Sequence, residues 1–120
     1  METLNDKQFY GYFVNVKKAE ITPVVLTHKD FLKDCYSLIE TDIIERVYIE
    51  TNHAIILDEE GLFKTPAVPF RISVNGVMYS FVGNAIIVGA LPLDENFSQP
   101  TLPITHYEKT VHFTLLQQNI

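Results

Sequence analysis

The amino-acid sequence predicts an α+β domain with a mainly antiparallel sheet of about six or seven strands and one helix packed on one face. Three observations predict this class. Most apolar residues fall in short segments rich in β-branched and aromatic residues, which are typical of strands. One segment, from about His28 to Ile39, has the spacing of a helix instead. The pair Asn75-Gly76, between two alternating segments, predicts a tight hairpin.

The predicted strands differ in how much of each is apolar. Pro23 lacks the amide that a sheet ladder needs, so its strand belongs at an edge or a bulge. Ala85–Leu91 is apolar on both faces, which indicates the centre of the sheet. In chain order the strands are Phe9–Val16, Glu20–Leu26, Ile43–Ile49, His53–Leu57, Phe70–Val74, Val77–Phe81, Ala85–Leu91 and Val111–Leu116.

The one predicted helix, His28–Ile39, begins after Thr27, whose hydroxyl can accept from the free amides of the first turn. Asp30 occupies the acidic position of a capping box. Apolar residues then recur at helical spacing, and the face that they form should pack on the sheet. They are Phe31, Leu32, Cys35, Tyr36 and Ile39.

Two connections carry distinct chemistry. Asp58-Glu59-Glu60-Gly61 predicts a solvated turn. The segment Pro92–His106 contains three prolines, which cannot donate to a ladder, so we expect a loose arm outside the main sheet. Its apolar side chains need cover, which either another copy or a partner supplies. Alternatively, the arm folds back onto its own core.

Length and composition predict one domain spanning residues 1–120, since 47% of the residues are hydrophobic and 20% are charged. No apolar run approaches the roughly 20 residues that cross a bilayer, and the first residues do not form a secretory signal. The single cysteine, Cys35, agrees with a reducing compartment and should be buried and unreactive. We therefore expect a cytoplasmic protein without a membrane partner.

The net charge of −6 argues against a nucleic-acid partner, because a phosphate backbone is bound by clustered basic groups. Lys17-Lys18 is the one adjacent basic pair, and a solvated turn explains it. The acidity favours solubility first and a basic protein partner second.

The histidines are the obvious candidates for acid–base or metal chemistry. His106 and His112 would share a face with Glu108 on a continuous strand, although surface histidines are the favoured interpretation. Neither His28 nor His53 has a diagnostic partner. Phosphate-binding loops, dinucleotide fingerprints and serine-nucleophile motifs do not occur, so the sequence predicts no catalytic residue, metal site or cofactor.

Candidate residues for binding a protein partner or a small ligand come from three segments. Tyr10 and Tyr12 belong to a dense aromatic strand that could form an exposed stacking platform, although packing in the core is the favoured interpretation. Glu59 and Glu60 belong to the acidic turn, and Phe97 lies on the Pro-rich arm. We predict that these five residues contribute to a binding surface.

Three segments carry a resemblance to a family: Asp42–Val47, Ala54–Lys64 and Gly83–Gly89. Over Phe31–Leu91 the chain resembles a family of uncharacterised small domains carried by phages and bacterial mobile elements. The resemblance implies that members of this family share a helix, an Ile-Glu strand, an acid-acid-Gly turn followed by a basic residue, and a Gly-led apolar strand. Relatives also look to have a Pro-x-Asn segment where this chain has Pro66-Ala67-Val68-Pro69. The resemblance implies a biological context and no catalytic residues.

Three functions are consistent with these observations. The first is a non-enzymatic binding module of a phage or mobile element, as an inhibitor of a host defence protein or a sequesterer of a small ligand. The second is a small hydrolase or transferase that uses His53 or His106 with Glu59 or Glu60. The third is a structural or assembly subunit whose strand edges pair between copies in a homo-oligomer. A deep polar pocket would favour the enzyme, and an apolar or acidic patch would favour the binding module.

Overall fold

The computed structural model describes residues 7–64, 67–92, 94 and 96–114, and it confirms the α+β class. The helices are α1 (Phe31–Ile39) and α2 (Ile104–Thr110), and a 3-10 turn spans Gly61–Phe63. None of the helices in these ranges is long and apolar enough to cross a membrane. The strands are β1 (Gln8–Asn15), β2 (Glu20–Thr27), β3 (Ile44–Tyr48), β4 (His53–Asp58), β5 (Pro69–Val74), β6 (Val77–Val82), β7 (Ala85–Ala90), β8 (Phe97–Ser98) and β9 (Val111–Phe113).

The strands form two antiparallel sheets rather than one. The large sheet has the order β2-β1-β7-β4-β3, and β8 pairs with the end of β7. The small sheet has the order β6-β5-β9. Helix α1 covers one face of the large sheet, and the small sheet and α2 pack on the other face. The described part of the chain therefore has three layers and two apolar cores.

The central strands β4 and β7 separate the two cores. Their side chains alternate between the faces of the large sheet. Ile56 and Ile86 pack under α1, whereas Ile55 and Ile87 pack against the small sheet. All residues of both strands are buried, so a polar residue on either face would lack water. The prediction of Ala85–Leu91 as a central strand is confirmed.

The predicted hairpin is also confirmed. Asn75 and Gly76 have φ angles of 51° and 81°, as a type I′ turn requires. They connect Val74 to Val77, which are opposite each other in the β5–β6 ladder. Because this turn allows two residues only, it determines the register of the whole hairpin.

Helix α1 begins at Phe31, three residues after its predicted start. Asp30 has φ −111° and ψ 29°, outside the helical region, and its side chain makes no capping hydrogen bond. The Thr27 hydroxyl instead accepts from the Asp30 amide at 3.2 Å and donates to the Asp34 carboxylate at 3.0 Å. The predicted hydrogen bond from a first-turn amide to Thr27 is therefore confirmed. The acidic residue of the capping box is wrong, because Asp34 and not Asp30 accepts from the Thr27 amide, at 2.9 Å.

The expectation that the Pro-rich arm lies outside the main sheet is wrong. Its residues Phe97 and Ser98 form β8 and pair with Ala90 and Gly89 of β7. A Cβ atom at Gly89 would lie 2.6 Å from the Gln99 carbonyl oxygen, so the arm approaches the sheet more closely than any other residue type at this position would allow. The alternative, in which the arm folds back onto its own core, describes the structure.

The arm ends in helix α2, which the sequence-based prediction missed. Pro103 stands immediately before the helix with an extended backbone, and a proline at a helix start costs no hydrogen bond. Ile104, Tyr107 and Val111 have helical spacing, and this signal was available in the sequence. The last predicted strand, Val111–Leu116, is observed as β9 up to Phe113, and its residues 115–116 lie outside the described residues.

Candidate functional site

The acidic turn and the lysine that follows it form a structural ion pair. Oδ2 of Asp58 lies 2.7 Å from Nζ of Lys64, and Asp58 is buried. Oδ1 of Asp58 accepts from the Thr41 hydroxyl and the Glu60 amide, both at 2.9 Å. Lys64 also donates to the carbonyl oxygen of Glu40 at the C-terminal end of α1. The solvated-turn prediction is therefore wrong for the aspartate, although the two glutamates are exposed.

Two opposing effects act on the pKa of Asp58. Burial raises the pKa of its carboxyl group, whereas hydrogen bonds from Lys64, the Glu60 amide and Thr41 lower it. The hydrogen bonds dominate, and the pKa lies below its ordinary value of 3.8. The carboxylate is therefore ionised at neutral pH and remains paired with the lysine.

His53 is buried and holds the arm. Its Nδ1 lies 2.8 Å from the Thr51 carbonyl oxygen, which can only accept, so Nδ1 carries the proton. The Nε2 atom is then an acceptor, and it lies 3.2 Å from the Thr101 amide and 3.4 Å from the Leu102 amide. Because backbone groups occupy both ring nitrogens, the structure gives His53 a positioning role in the fold.

A histidine–glutamate pair does form, but not one of the predicted pairs. Nε2 of His106, on α2, lies 3.1 Å from Oε1 of Glu50. The ring of His106 also meets the fully buried Tyr107 edge to face, with centroids 4.9 Å apart. A continuous strand from His106 to His112 is wrong, because α2 and β9 divide this segment. No three metal-binding side chains cluster anywhere in the described ranges.

Cys35 is buried on the face of α1 that packs on the large sheet, as predicted. Burial, and then the nearby Asp34 carboxylate, raise the pKa of the Cys35 thiol to about 12. The thiolate is the reactive form of cysteine, so this shift supports the expected low reactivity, which stays a prediction.

A groove lies beside the N-terminal end of α1, where the large sheet is not fully covered. A helix of nine residues is about 14 Å long and about 10 Å across. Five strands at about 4.8 Å spacing span about 19 Å between the outermost strands. One short helix therefore leaves part of the sheet face open, next to β8 and β3.

This groove consists of two adjoining cavities of about 260 Å³ and 390 Å³. Phe31, Leu32 and Phe97 line both cavities. The side chain of Leu32 is apolar, and yet the residue is 54% exposed. The remaining lining residues are Phe9, His28 and Asn96 in the first cavity and Ile44, Glu45, Arg46 and Ile56 in the second.

Aromatic rings form the floor of the groove. Phe31 stacks on Phe97 with centroids 4.5 Å apart, and Phe9 lies 6.1 Å from Phe31. The guanidinium carbon of Arg46 lies 5.1 Å from the centre of the Phe97 ring and 5.6 Å from that of Tyr48. These cation–π contacts hold the arginine between two rings at the β3 end of the groove.

Arg46 is the cation of the groove, and Glu45 is its other charged lining residue. Arg46 forms no ion pair within residues 7–64, 67–92, 94 and 96–114. The neighbouring Glu45 pairs with Leu57 and therefore points toward the small sheet, whereas Arg46 pairs with Ile56 on the α1 side. The groove thus combines an apolar floor with one cation.

The structure brings only one of the five predicted binding residues, Phe97, into this groove. Tyr12 is buried on the other face of the large sheet, and Tyr10 points to that same face because side chains alternate. The hydroxyl of Tyr12 donates to the Leu102 carbonyl oxygen at 2.7 Å. Glu59 and the adjacent glutamate remain on the exposed turn after β4.

Sequence reasoning missed two main components of the groove, Arg46 and Leu32. Leu32 was assigned to the packed face of the helix, but Phe31 and Cys35 occupy that face and leave Leu32 at its margin. A lone arginine in an alternating strand carries no distinguishing signal. Its role depends on Phe97, 51 residues later in the sequence.

Most of the chain matches one known family. The family model described as Domain of unknown function (DUF3846) matches residues 11–112, a range that contains both helices and β8. This chain belongs to the DUF3846 family. The expected membership of an uncharacterised small-domain family is confirmed. No curated protein and no solved structure matches this DUF3846 domain at a significant level.

Proposed function

We propose that this DUF3846 domain is a non-enzymatic binding module. Its groove takes a short apolar segment of a protein partner, and Arg46 binds an acidic group of that segment. The observation that carries the proposal is the groove floor of Phe9, Phe31 and Phe97 beside the half-exposed Leu32. At one end lies the Arg46 guanidinium, which makes no ion pair with the described residues.

The apolar floor supports the hydrophobic half of the proposal. Leu32 is half exposed beside the stacked pair Phe31 and Phe97. Fully burying one large apolar side chain of a partner contributes about 1.5–3 kcal/mol, so apolar side chains of the bound segment supply much of the binding energy. The rings are held by one another before a ligand arrives, which reduces the entropy lost on binding.

The position of Arg46 supports the acidic half. Its guanidinium carbon lies 5.1 Å from the Phe97 ring centre and 5.6 Å from the Tyr48 ring centre. It makes no ion pair with the described residues, so its N–H groups are available to a ligand. A carboxylate can accept two of these N–H groups side by side, and such charged hydrogen bonds contribute about 1.5–3 kcal/mol. Lys29 and Lys33 line an adjoining cavity together with Asp30, so the charges of that lining sum to a positive value near the groove.

The shape of the site favours a peptide segment over an enzyme substrate. The two cavities adjoin along the sheet and open to solvent, whereas catalysis calls for a pocket with converging polar groups. The resemblance to domains of phages and mobile elements favours a host protein as the partner, with inhibition of a defence protein as the effect. A protein of this kind would act in the cytoplasm.

The experiment is a selection of random peptides on the immobilised full chain, followed by affinity measurements in solution. We expect selected peptides to combine large apolar residues with an adjacent Asp or Glu. Arg46→Gln should weaken the binding of these peptides at least tenfold, which corresponds to about 1.4 kcal/mol. Leu32→Lys should weaken it as well, because it places a charge in the apolar cavity.

The matched control is Arg71→Gln. Arg71 is an exposed arginine of β5, on the opposite side of the large sheet from the groove. This variant should bind the selected peptides as the unchanged protein does. The proposal is wrong if the peptides share no apolar–acidic pattern, or if the two arginine variants bind equally well. Competition by 8-anilinonaphthalene-1-sulfonate, an aromatic anion, would show whether a small ligand enters the same groove.

A further inference from the structure

β6 is an edge strand without the protection that other sheet edges have. β2 carries Pro23, β3 carries Glu45 and Arg46, and β9 has three residues only. Charges, prolines and short length each discourage pairing with another chain. β6 has none of these, and the sequence has no charged residue between Arg71 and Asp94.

The face of β6 that is directed toward the core is also partly exposed. Val77 pairs with Val74 and Tyr79 pairs with Ile72, so these two residues of β6 share a face with buried residues of β5. Nevertheless Val77 is 51% exposed and Tyr79 is 46% exposed. β6 therefore extends beyond the layer that covers β5. Leu62, which lines a cavity with the end of β6, is exposed too.

The geometry of the hairpin determines which backbone groups of β6 have no hydrogen-bond partner on β5. In a two-residue hairpin the residues that flank the turn hydrogen-bond to each other, and every second residue after them does the same. The backbone groups of the intervening residues point away from β5. On β6 these outward residues are Met78, Ser80 and Val82. The carbonyl group of Val82 lies against Gly61 of the same chain, so the open part of the edge is Met78 and Ser80.

We infer that β6 pairs antiparallel with β6 of a second copy of this chain, across a two-fold axis. The pairing joins two three-stranded sheets into one sheet of six strands. An uncharged strand is self-complementary, since no like charges meet even though each chain has a net charge of −6. The outward N–H groups of each strand find carbonyl acceptors, and Val77 and Tyr79 gain apolar cover.

This interface is independent of the proposed peptide groove. The small sheet and α1 lie on opposite faces of the large sheet, so the paired copies leave both grooves open. A dimer without peptide binding, or peptide binding without a dimer, would separate the two proposals.

The first experiment is sedimentation of the full chain at concentrations from about 1 μM to about 500 μM. We expect a species of twice the 13.7 kDa chain mass. Met78→Lys places a charge on the uncharged strand, and it should raise the dissociation constant at least tenfold. Leu91→Lys introduces the same charge at a side chain of equal exposure after β7, and it should leave the dimer intact.

Amide hydrogen exchange identifies the strand directly and does not depend on a variant that folds. The amides of Met78 and Ser80 should become protected as the protein concentration rises, whereas that of Tyr79 should be protected at all concentrations. A monomer throughout the concentration range overturns the inference. So does a dimer that persists in Met78→Lys or leaves the amides of Met78 and Ser80 unprotected.

Discussion

Asp58, His53 and Tyr12 are buried polar side chains that each hold a connection in place. Asp58 connects the end of β4 to the C-terminal end of α1 through Lys64, and His53 connects the start of β4 to the arm. The hydroxyl of Tyr12 donates to a carbonyl oxygen of the same arm. Burying a polar group is unfavourable unless it is hydrogen-bonded, and each of these residues is. Their burial is thus explained by the fold.

Replacement of Asp58 by Asn should lower the free energy of unfolding by about 1–3 kcal/mol at pH 7, because the amide cannot pair with Lys64 and leaves buried groups partly unsatisfied. Chemical denaturation of the two proteins measures the difference. Glu59→Gln is the control, since Glu59 is exposed, and it should change stability by less than about 0.5 kcal/mol. Equal effects at both positions would contradict the role of Asp58.

The stabilisation by Asp58 should depend on pH. Its pKa in the folded state is below the ordinary value of 3.8, so its contribution is complete above pH 3.8 and is lost as the pH falls through the lower folded-state pKa. The stability difference between the unchanged protein and Asp58→Asn should therefore shrink in acid. A difference that stays constant down to the lowest pH at which both proteins fold would argue against this.

At the scale of elements, the arm between β7 and β9 is built into the fold by contacts along its described length. β8 pairs with β7, His53 accepts from the Thr101 amide, and Tyr107 of α2 is fully buried. Its prolines occur where no ladder donor is needed, and Pro103 stands at a helix start. A proline-rich segment can therefore be part of the packed fold when its other backbone amides have hydrogen-bond partners.

Replacement of His53 by Ala should release this arm. The variant leaves a cavity and an unpaired Thr101 amide, and we expect a loss of about 2–4 kcal/mol in unfolding free energy. Hydrogen exchange at Thr101 should become at least tenfold faster. His112→Ala on β9 removes an exposed histidine and should change neither quantity. Unchanged exchange at Thr101 in the His53 variant would show that β8 alone holds the arm.

At the scale of the whole molecule, the groove is assembled from elements that are distant in sequence. Phe9 comes from β1, Phe31 from α1, Arg46 from β3 and Phe97 from β8. The position of β8 depends in turn on Gly89 of β7, which the arm crosses at close range. The geometry of the groove is thus a property of the complete fold.

Gly89→Ala tests this dependence. The added Cβ would lie 2.6 Å from the Gln99 carbonyl oxygen and 2.7 Å from the Ser98 hydroxyl, so β8 must shift away from β7. We expect a loss of about 1–3 kcal/mol in stability and weaker binding of groove-selected peptides, because Phe97 moves with β8.

The matched control for Gly89→Ala is Gly76→Ala. A Cβ at Gly76 meets no atom within 4 Å, but its φ of 81° strains an alanine by about 1–2 kcal/mol. This control should destabilise the protein without affecting peptide binding. Equal peptide affinity in the two variants would show that β8 does not position the groove.

Elements with local signals can be predicted from the sequence. The type I′ hairpin follows from Asn75-Gly76, the central strand from an unbroken apolar run, and the body of α1 from its helical periodicity. These features depend on backbone preferences and on which faces are buried, and both can be read within about ten residues of chain.

Tertiary structure alone decided the division into two sheets, the folding back of the arm and the composition of the groove. The turn residues predict a solvated Asp58, because nothing in their chemistry indicates that Asp58 forms an ion pair with Lys64. Phe97 was chosen for its residue type, whereas Arg46 was missed because its rings come from a distant segment. Packing between segments that are far apart in sequence sets these contacts, and no local preference encodes which segments meet.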